Sequence, residues 1–266
     1  MRRALLSVRS DDEASRERVM LRCTERDKKL IVKCGLCRWL TTTQVQRLYF
    51  PRATVNAVQK RLRKLADGGF LRTHRESILS ETLHAAGPKA RGIFEENGLE
   101  YLGGNEVSRQ IEHLVGVNDI RIAVETGTVP VAYFFAHWQL ANIGWTQAVI
   151  PDAVFAMRHL GIRNFVVEYD RATEGLSVLV EKLRTYQEGL RGFSFEAAVI
   201  VTDQDRRMDS LSREFWKRGV SLSVLLGTVA ELQTKSMVDC SFLELGGARH
   251  RKLLDVPQKS EKPDLS

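Results

Sequence analysis

At 266 residues with 43% apolar side chains, the chain carries enough hydrophobic material for two packed units, which excludes wholesale disorder. The formal charge of +7 is unevenly spread: residues 1–100 hold 21 Lys/Arg against 12 Asp/Glu, while the remainder is slightly acidic, so an anionic ligand is expected at the N-terminal part. No apolar run reaches the ~18 residues of a membrane span, and four scattered cysteines with no export leader behind Arg2 and Arg3 suit a reducing cytoplasm.

Residues 1–22 mix charges without a sustained apolar period and read as a flexible basic arm. From Arg26 onward, Leu30, Ile31, Cys34, Cys37 and Trp39 recur at helical spacing, which predicts a first helix. The CGLC pair inside it reads as small core residues, because no second Cys or His pair stands at zinc-site spacing. TTTQ at Thr41–Gln44 has the form of a capping box opening a second helix through Leu48 and Tyr49. Pro51 then marks the start of a third helix that ends on Gly68 and Gly69.

Val55, Val58, Leu62 and Leu65 share one face of that third helix. Its opposite face shows Arg52, Asn56, Gln59, Lys60, Arg63 and Lys64, side chains that hold phosphates and read base edges. A cationic helix face alone would be solvated surface. Here FLRTHRE and SILSETLHA follow as two short alternating strands, with Arg72, His74 and Arg75 near their turn, and a further helix from Pro88 to Asn97 closes the unit. Three helices and a hairpin in this order predict a winged helix-turn-helix over residues 23–100 that docks on double-stranded DNA.

Gly98–Val107 reads as a hinge, followed by a helix from about Ser108 to Glu125 and strand-like runs in AYFFAHWQLAN and TQAVIPDAVFAM. FVVEYD, LSVLVEKLRTYQEGL, FEAAVIVTD, RMDSLSREFWKRG, VSLSVLL and TVAELQTKSM then alternate strand and helix, which predicts a mixed α/β domain over residues 101–240 and a C-terminal tail at 241–266. Asp152 interrupts an apolar strand, and Glu168 and Asp170 stand two apart and face one side of the sheet. Converging carboxylates need a counter-charge, for which Mg²⁺ is the usual hard cation. On the next helix, Leu176, Leu179, Leu183 and Leu190 form a stripe with Tyr186 on it and Lys182 at its border. A border lysine ordinarily reaches to water; beside carboxylates it can hold a phosphate or an attacking water, with Tyr186 orienting it. TDQD at Thr202–Asp205 reads as a helix cap, and no nucleotide-binding glycine loop, HExxH helix or GxSxG elbow occurs.

PDA at Pro151–Ala153, VEYDRATE at Val167–Glu174 and EKLRTYQ at Glu181–Gln187, behind a winged helix, together resemble the replication-relaxation family of bacterial plasmids and mobile elements, over about Arg26–Ser236. The resemblance implies a restriction-endonuclease-like domain of the PD-(D/E)xK type, in which two acids bind Mg²⁺ and a lysine two residues after the second acid serves the attacking water. Asp170 occupies that lysine's position, so the lysine would come from the helix as Lys182. Arg171, Thr173 and Glu174 match the pattern too, although strand exit and helix capping also account for them. Three readings stand: a DNA-binding protein acting in plasmid replication, relaxation or transfer alongside other proteins of those processes; a Mg²⁺-dependent nickase using Asp152, Glu168, Asp170, Lys182 and Tyr186; and a winged-helix transcriptional regulator. No obvious dimer helix fixes an oligomeric state.

Overall fold

Thr24 and Asp27 form a capping box that opens α1 (Glu25–Leu36). The helix stops before its apolar period does. Arg38 takes a left-handed φ of 61°, so Cys37 caps the helix and Trp39 leads into the short strand β1 (Leu40–Thr41), instead of both continuing α1. Cys34 and Cys37 are free, fully buried thiols whose burial pushes their pKa values up, as befits core residues. The structure, a computed structural model, describes residues 23–258 apart from 79, 102–106, 108–109, 174, 191 and 246–248. The arm at 1–22, Glu174 and the last residues of the expected tail lie outside the described residues.

The second capping box, Thr41 with Gln44, opens α2 (Thr42–Tyr49) where TTTQ implies. α3 (Val55–Asp67) starts at the cap Thr54 and not at Pro51, because Pro51 to Ala53 form a turn whose Ala53 carbonyl is held by Gln46 Nε2 at 2.7 Å. Arg52 therefore sits on the turn. Val58, Leu62 and Leu65 are fully buried, whereas Val55 is 44% exposed and leaves the expected stripe. β2 (Leu71–His74) pairs antiparallel with β3 (Leu83–Ala86), and β1 adds to the other side of β3, an edge strand too short to show a period. A turn of 3-10 helix at Pro88–Ala90 runs into α4 (Arg91–Glu96).

α5 (Ile111–Glu125) is buried almost all round, so it lacks the one-sided pattern of a surface helix. Ile122 packs into the core of the first unit, while Val117, Ile120 and Val124 pack on the large sheet. Buried polar bonds fix this seam: Asn118 Nδ2 donates to the carbonyls of Cys37 and Trp39 at 3.0 and 2.8 Å, and Gln44 Nε2 donates to the Val115 carbonyl and Asp119 Oδ1 at 2.8 and 3.0 Å.

β4 (Val131–Ala136), the one-turn α6 (His137–Leu140), β5 (Ala153–Arg158) and β6 (Ile162–Asp170) follow, the three strands forming an antiparallel meander. α7 (Leu176–Glu188) crosses to β7 (Ala197–Thr202), parallel to β6, and α8 (Asp205–Lys217) crosses to β8 (Val224–Thr228), parallel to β7. α9 (Val229–Leu232) is a single turn, shorter than TVAELQTKSM suggests. β9 (Phe242–Glu244) and β10 (His250–Arg251) complete a mixed seven-stranded sheet in the order β10-β9-β8-β7-β6-β5-β4. The expected tail thus supplies a sheet edge, and its Leu253 and Val256 are buried in the core. Strands of two or three residues leave no alternation to read. α5 and α9 cover one face of the sheet, α7 and α8 the other. Burial on both faces explains the unbroken apolar runs AVFAM and AAVIVT in β5 and β7. The chain is a mixed α/β protein, as the alternation of elements implies.

Candidate active site

Consecutive elements each bring a polar side chain to the mouth of the β5–β6 hairpin. The pairing of Ala153 with Val167 sets a register that places Asp152 directly across from Glu168. Asp152 is anchored through its backbone and its carboxylate together: its carbonyl accepts from the His137 amide at 2.8 Å, and Oδ2 accepts from the Tyr169 amide at 2.7 Å. Its Oδ1 lies 2.9 Å from His113 Nε2. His113 reaches it from the first turn of α5 because the helix lies tight against β6 at Gly116, where a Cβ would stand 2.0 Å from the Tyr169 ring. A larger residue there would have to displace that ring. His137 follows the end of β4, and its Nδ1 is buried without a hydrogen-bond partner among the described residues.

Glu168 is 2% exposed, and both of its oxygens are engaged. Lys182 Nζ stands 2.9 Å from Oε2, and the Tyr186 hydroxyl donates to Oε1. Lys182 and Tyr186 are one turn apart on α7, so a single helix face delivers both. Burial drives the Glu168 carboxyl up and the Asp152 charge adds to that; Lys182 and Tyr186 offset part of it, leaving the group raised to about 7. Burial also pushes Asp152 up, but His113, the Tyr169 amide and Lys182 outweigh it and hold this carboxyl below its ordinary value. Burial pushes the His137 imidazole below its usual value. The Tyr186 phenol is pushed up by burial and by Glu168 beside it. A pocket of about 350 Å³ opens over this cluster, with Gln110 and Thr173 at its lining.

Asp170 is placed differently from its neighbour. Arg207 Nε and Nη2 bind its two oxygens at 2.6 and 3.3 Å, and Oδ1 also accepts from the Ala172 amide at 3.0 Å. Asp152, Glu168 and Asp170 are therefore not gathered as one set of ligand atoms. The metal-type donors that lie within 4.8 Å of one another among the described residues are His113, His137 and Asp152. Neither histidine stands out in the sequence, since one sits on a helix buried on most sides and the other just past a strand. Arg207, the partner of Asp170, was equally unmarked.

Arg171 leaves the strand and pairs with Glu112 on α5, and Thr173 is exposed at the loop before α7. In the first unit, Arg52, Asn56, Gln59, Lys60, Arg63, Lys64, Arg72 and Arg75 are all exposed. Arg61, on the same helix, is instead bound through its guanidinium to the buried Asp27, and Arg75 Nε donates to the Ser80 carbonyl at 2.8 Å.

Fold and site together define a mixed α/β protein with a buried acid–lysine–tyrosine cluster at a hairpin mouth and a basic helical unit ahead of it. The replication-relaxation family model matches residues 35–200, and the chain belongs to that family. No curated protein matches the sequence. No helix among the described residues is long and apolar enough to cross a membrane.

Proposed function

We propose that this protein binds double-stranded DNA in plasmid or mobile-element replication, relaxation or transfer, and that the pocket at the hairpin mouth cleaves a phosphodiester bond. The first unit acts as a winged helix: α3 presents Asn56, Gln59, Lys60, Arg63 and Lys64 to the groove, and Arg72 and Arg75 hold flanking phosphates. The observation that carries the cleavage reading is the contact of Lys182 with Glu168 at 2.9 Å, facing Asp152 across the hairpin. It is an acid pair with its lysine supplied by the following helix, the relocation that Asp170 at the usual lysine position requires.

Within this reading Glu168 takes the proton of the attacking water, a task suited to a carboxyl poised near neutrality. Tyr186 fixes its rotamer. Lys182 swings from Glu168 to the phosphate and faces the charge that grows as the water oxygen bonds to phosphorus and the sugar oxygen departs with a proton from solvent. The Mg²⁺ of three carboxylates does not fit this arrangement, because Asp170 is bound to Arg207 and its oxygens are not gathered with those of Asp152 and Glu168. No step is assigned to it. The hydrogen bonds that Lys182 and Tyr186 make to Glu168 favour a second reading, in which the pocket grips DNA without cutting it.

Supercoiled plasmid incubated with the full chain and a series of divalent metals separates the two. Nicked circles that vanish with Glu168→Gln and Lys182→Met support cleavage. Retarded but fully supercoiled plasmid under every metal condition leaves only the gripping role.

A further inference from the structure

We infer that His113, His137 and Asp152 form a binding site for a divalent first-row transition ion, which this pocket takes in preference to Mg²⁺. The inference rests on the proposed pocket being functional, and it concerns what that pocket binds.

Three features carry it. The donor set is two imidazoles and one carboxylate, with ligand atoms within 4.8 Å of one another. Imidazole nitrogen favours transition ions, while Mg²⁺ selects oxygen donors. The spacing is also suitable: two donors at right angles on an ion about 2.1 Å away stand roughly 3 Å apart, and His113 Nε2 lies 2.9 Å from Asp152 Oδ1. An ion would replace the proton these atoms share, and that proton leaves to solvent. Finally, His137 carries a buried Nδ1 that finds no hydrogen bond among the described residues. An orphaned imidazole nitrogen costs free energy in the ion-free protein, and it belongs to one of the three residues whose donor atoms converge.

The three residues come from three elements, yet each is fixed independently of any ion. His137 is held through its own amide on the Asp152 carbonyl, Asp152 through the Tyr169 amide, and His113 through the close approach of α5 at Gly116. Such fixing keeps the donors near their bound positions and lowers the ordering cost of binding. His113, His137 and Asp152 line the same pocket as Glu168 and Lys182, so an ion held by the three would be reachable from it.

The test is Co²⁺ titrated into the chelator-treated full chain without DNA, followed by its visible absorption. One saturable equivalent is expected, weakened roughly tenfold or more by His113→Gln and by His137→Gln. About a hundredfold excess of Mg²⁺ should leave the spectrum in place. A thermal melt of each variant accompanies the titration; should His137→Gln fail to fold, the half-buried His113 decides alone. A spectrum that survives both substitutions, that Mg²⁺ displaces, or that never saturates overturns the inference. Because Co²⁺ binding is read without DNA, a chain that binds Co²⁺ through these histidines yet leaves plasmid intact refutes cleavage only. A chain that nicks with Mg²⁺ and shows no histidine-dependent Co²⁺ site refutes only the site.

Discussion

The polar face of α3 and the floor of the hairpin pocket are made of similar side chains in opposite settings. On α3, Lys60, Arg63 and Lys64 project into water, and the one cation turned inward, Arg61, is bound to buried Asp27. In the pocket, the buried Glu168 is held by Lys182 and Tyr186, and Asp152 by His113 and the Tyr169 amide. Exposed charges act at long range, where salt screens them. Desolvated charges shift one another, as the raised Glu168 and depressed Asp152 display, and act only on what enters the pocket. The contrast separates a surface suited to attraction from a site suited to proton transfer.

Four measurements test that separation, and the largest effect is expected in the pocket. Lys182→Met should lower plasmid nicking by about a hundredfold or more while DNA affinity stays within about twofold; an equal loss of affinity would merge the two regions into one binding surface. Next comes the buried side of α3. Leu62→Ala should cost about 2–5 kcal/mol in denaturant unfolding, and the exposed Val55→Ala under about 0.5; comparable costs would return Val55 to the stripe.

Third is the pH dependence of stability. Glu168 keeps its proton to about pH 7 when folded but only to its ordinary 4.5 when unfolded. Stability from this group is therefore complete below 4.5 and is lost as pH rises through 7. The melting temperature of the wild type relative to Glu168→Gln should fall across that window, and a flat difference would mean that Lys182 keeps the carboxyl ionised. The smallest effect belongs to the exposed face: Lys60→Ala with Arg63→Ala should weaken DNA binding and flatten the slope of log affinity against log salt by about 1.8. An unchanged slope would remove α3 from the DNA.

Which parts of this molecule could be read in its sequence follows from the range of the interactions involved. The TTTQ cap, the glycine end of α3 and the strand–helix alternation after β6 are local, so residues within a turn or two declare them. The same holds for Lys182 and Tyr186, one helical turn apart. The placement of Asp152 opposite Glu168 depends on strand register, and the sequence supplies only the two runs that pair. Asp170 shares a sheet side with Glu168 as the period-two rule demands, yet Arg207, distant in sequence, captures it. His113 and His137 fall in separate elements with no spacing rule to connect them, and α5 hides its role because burial on every side erases its period. Strands β1, β9 and β10 are too short to announce themselves.

The seam at α5 bears on how this protein can be re-engineered. One helix carries His113 of the pocket, and a few residues later Asn118 holds the backbone that follows α1. A transplant of the N-terminal unit from a relative would bring a foreign surface against Asn118, Asp119 and Ile122, and the misfit would reach His113 along the same helix. Under the proposed DNA-binding role, exchange of whole units is thus a poor route to new target sequences. Substitution at the solvent-facing positions of α3 leaves the seam untouched and is the route the architecture keeps open.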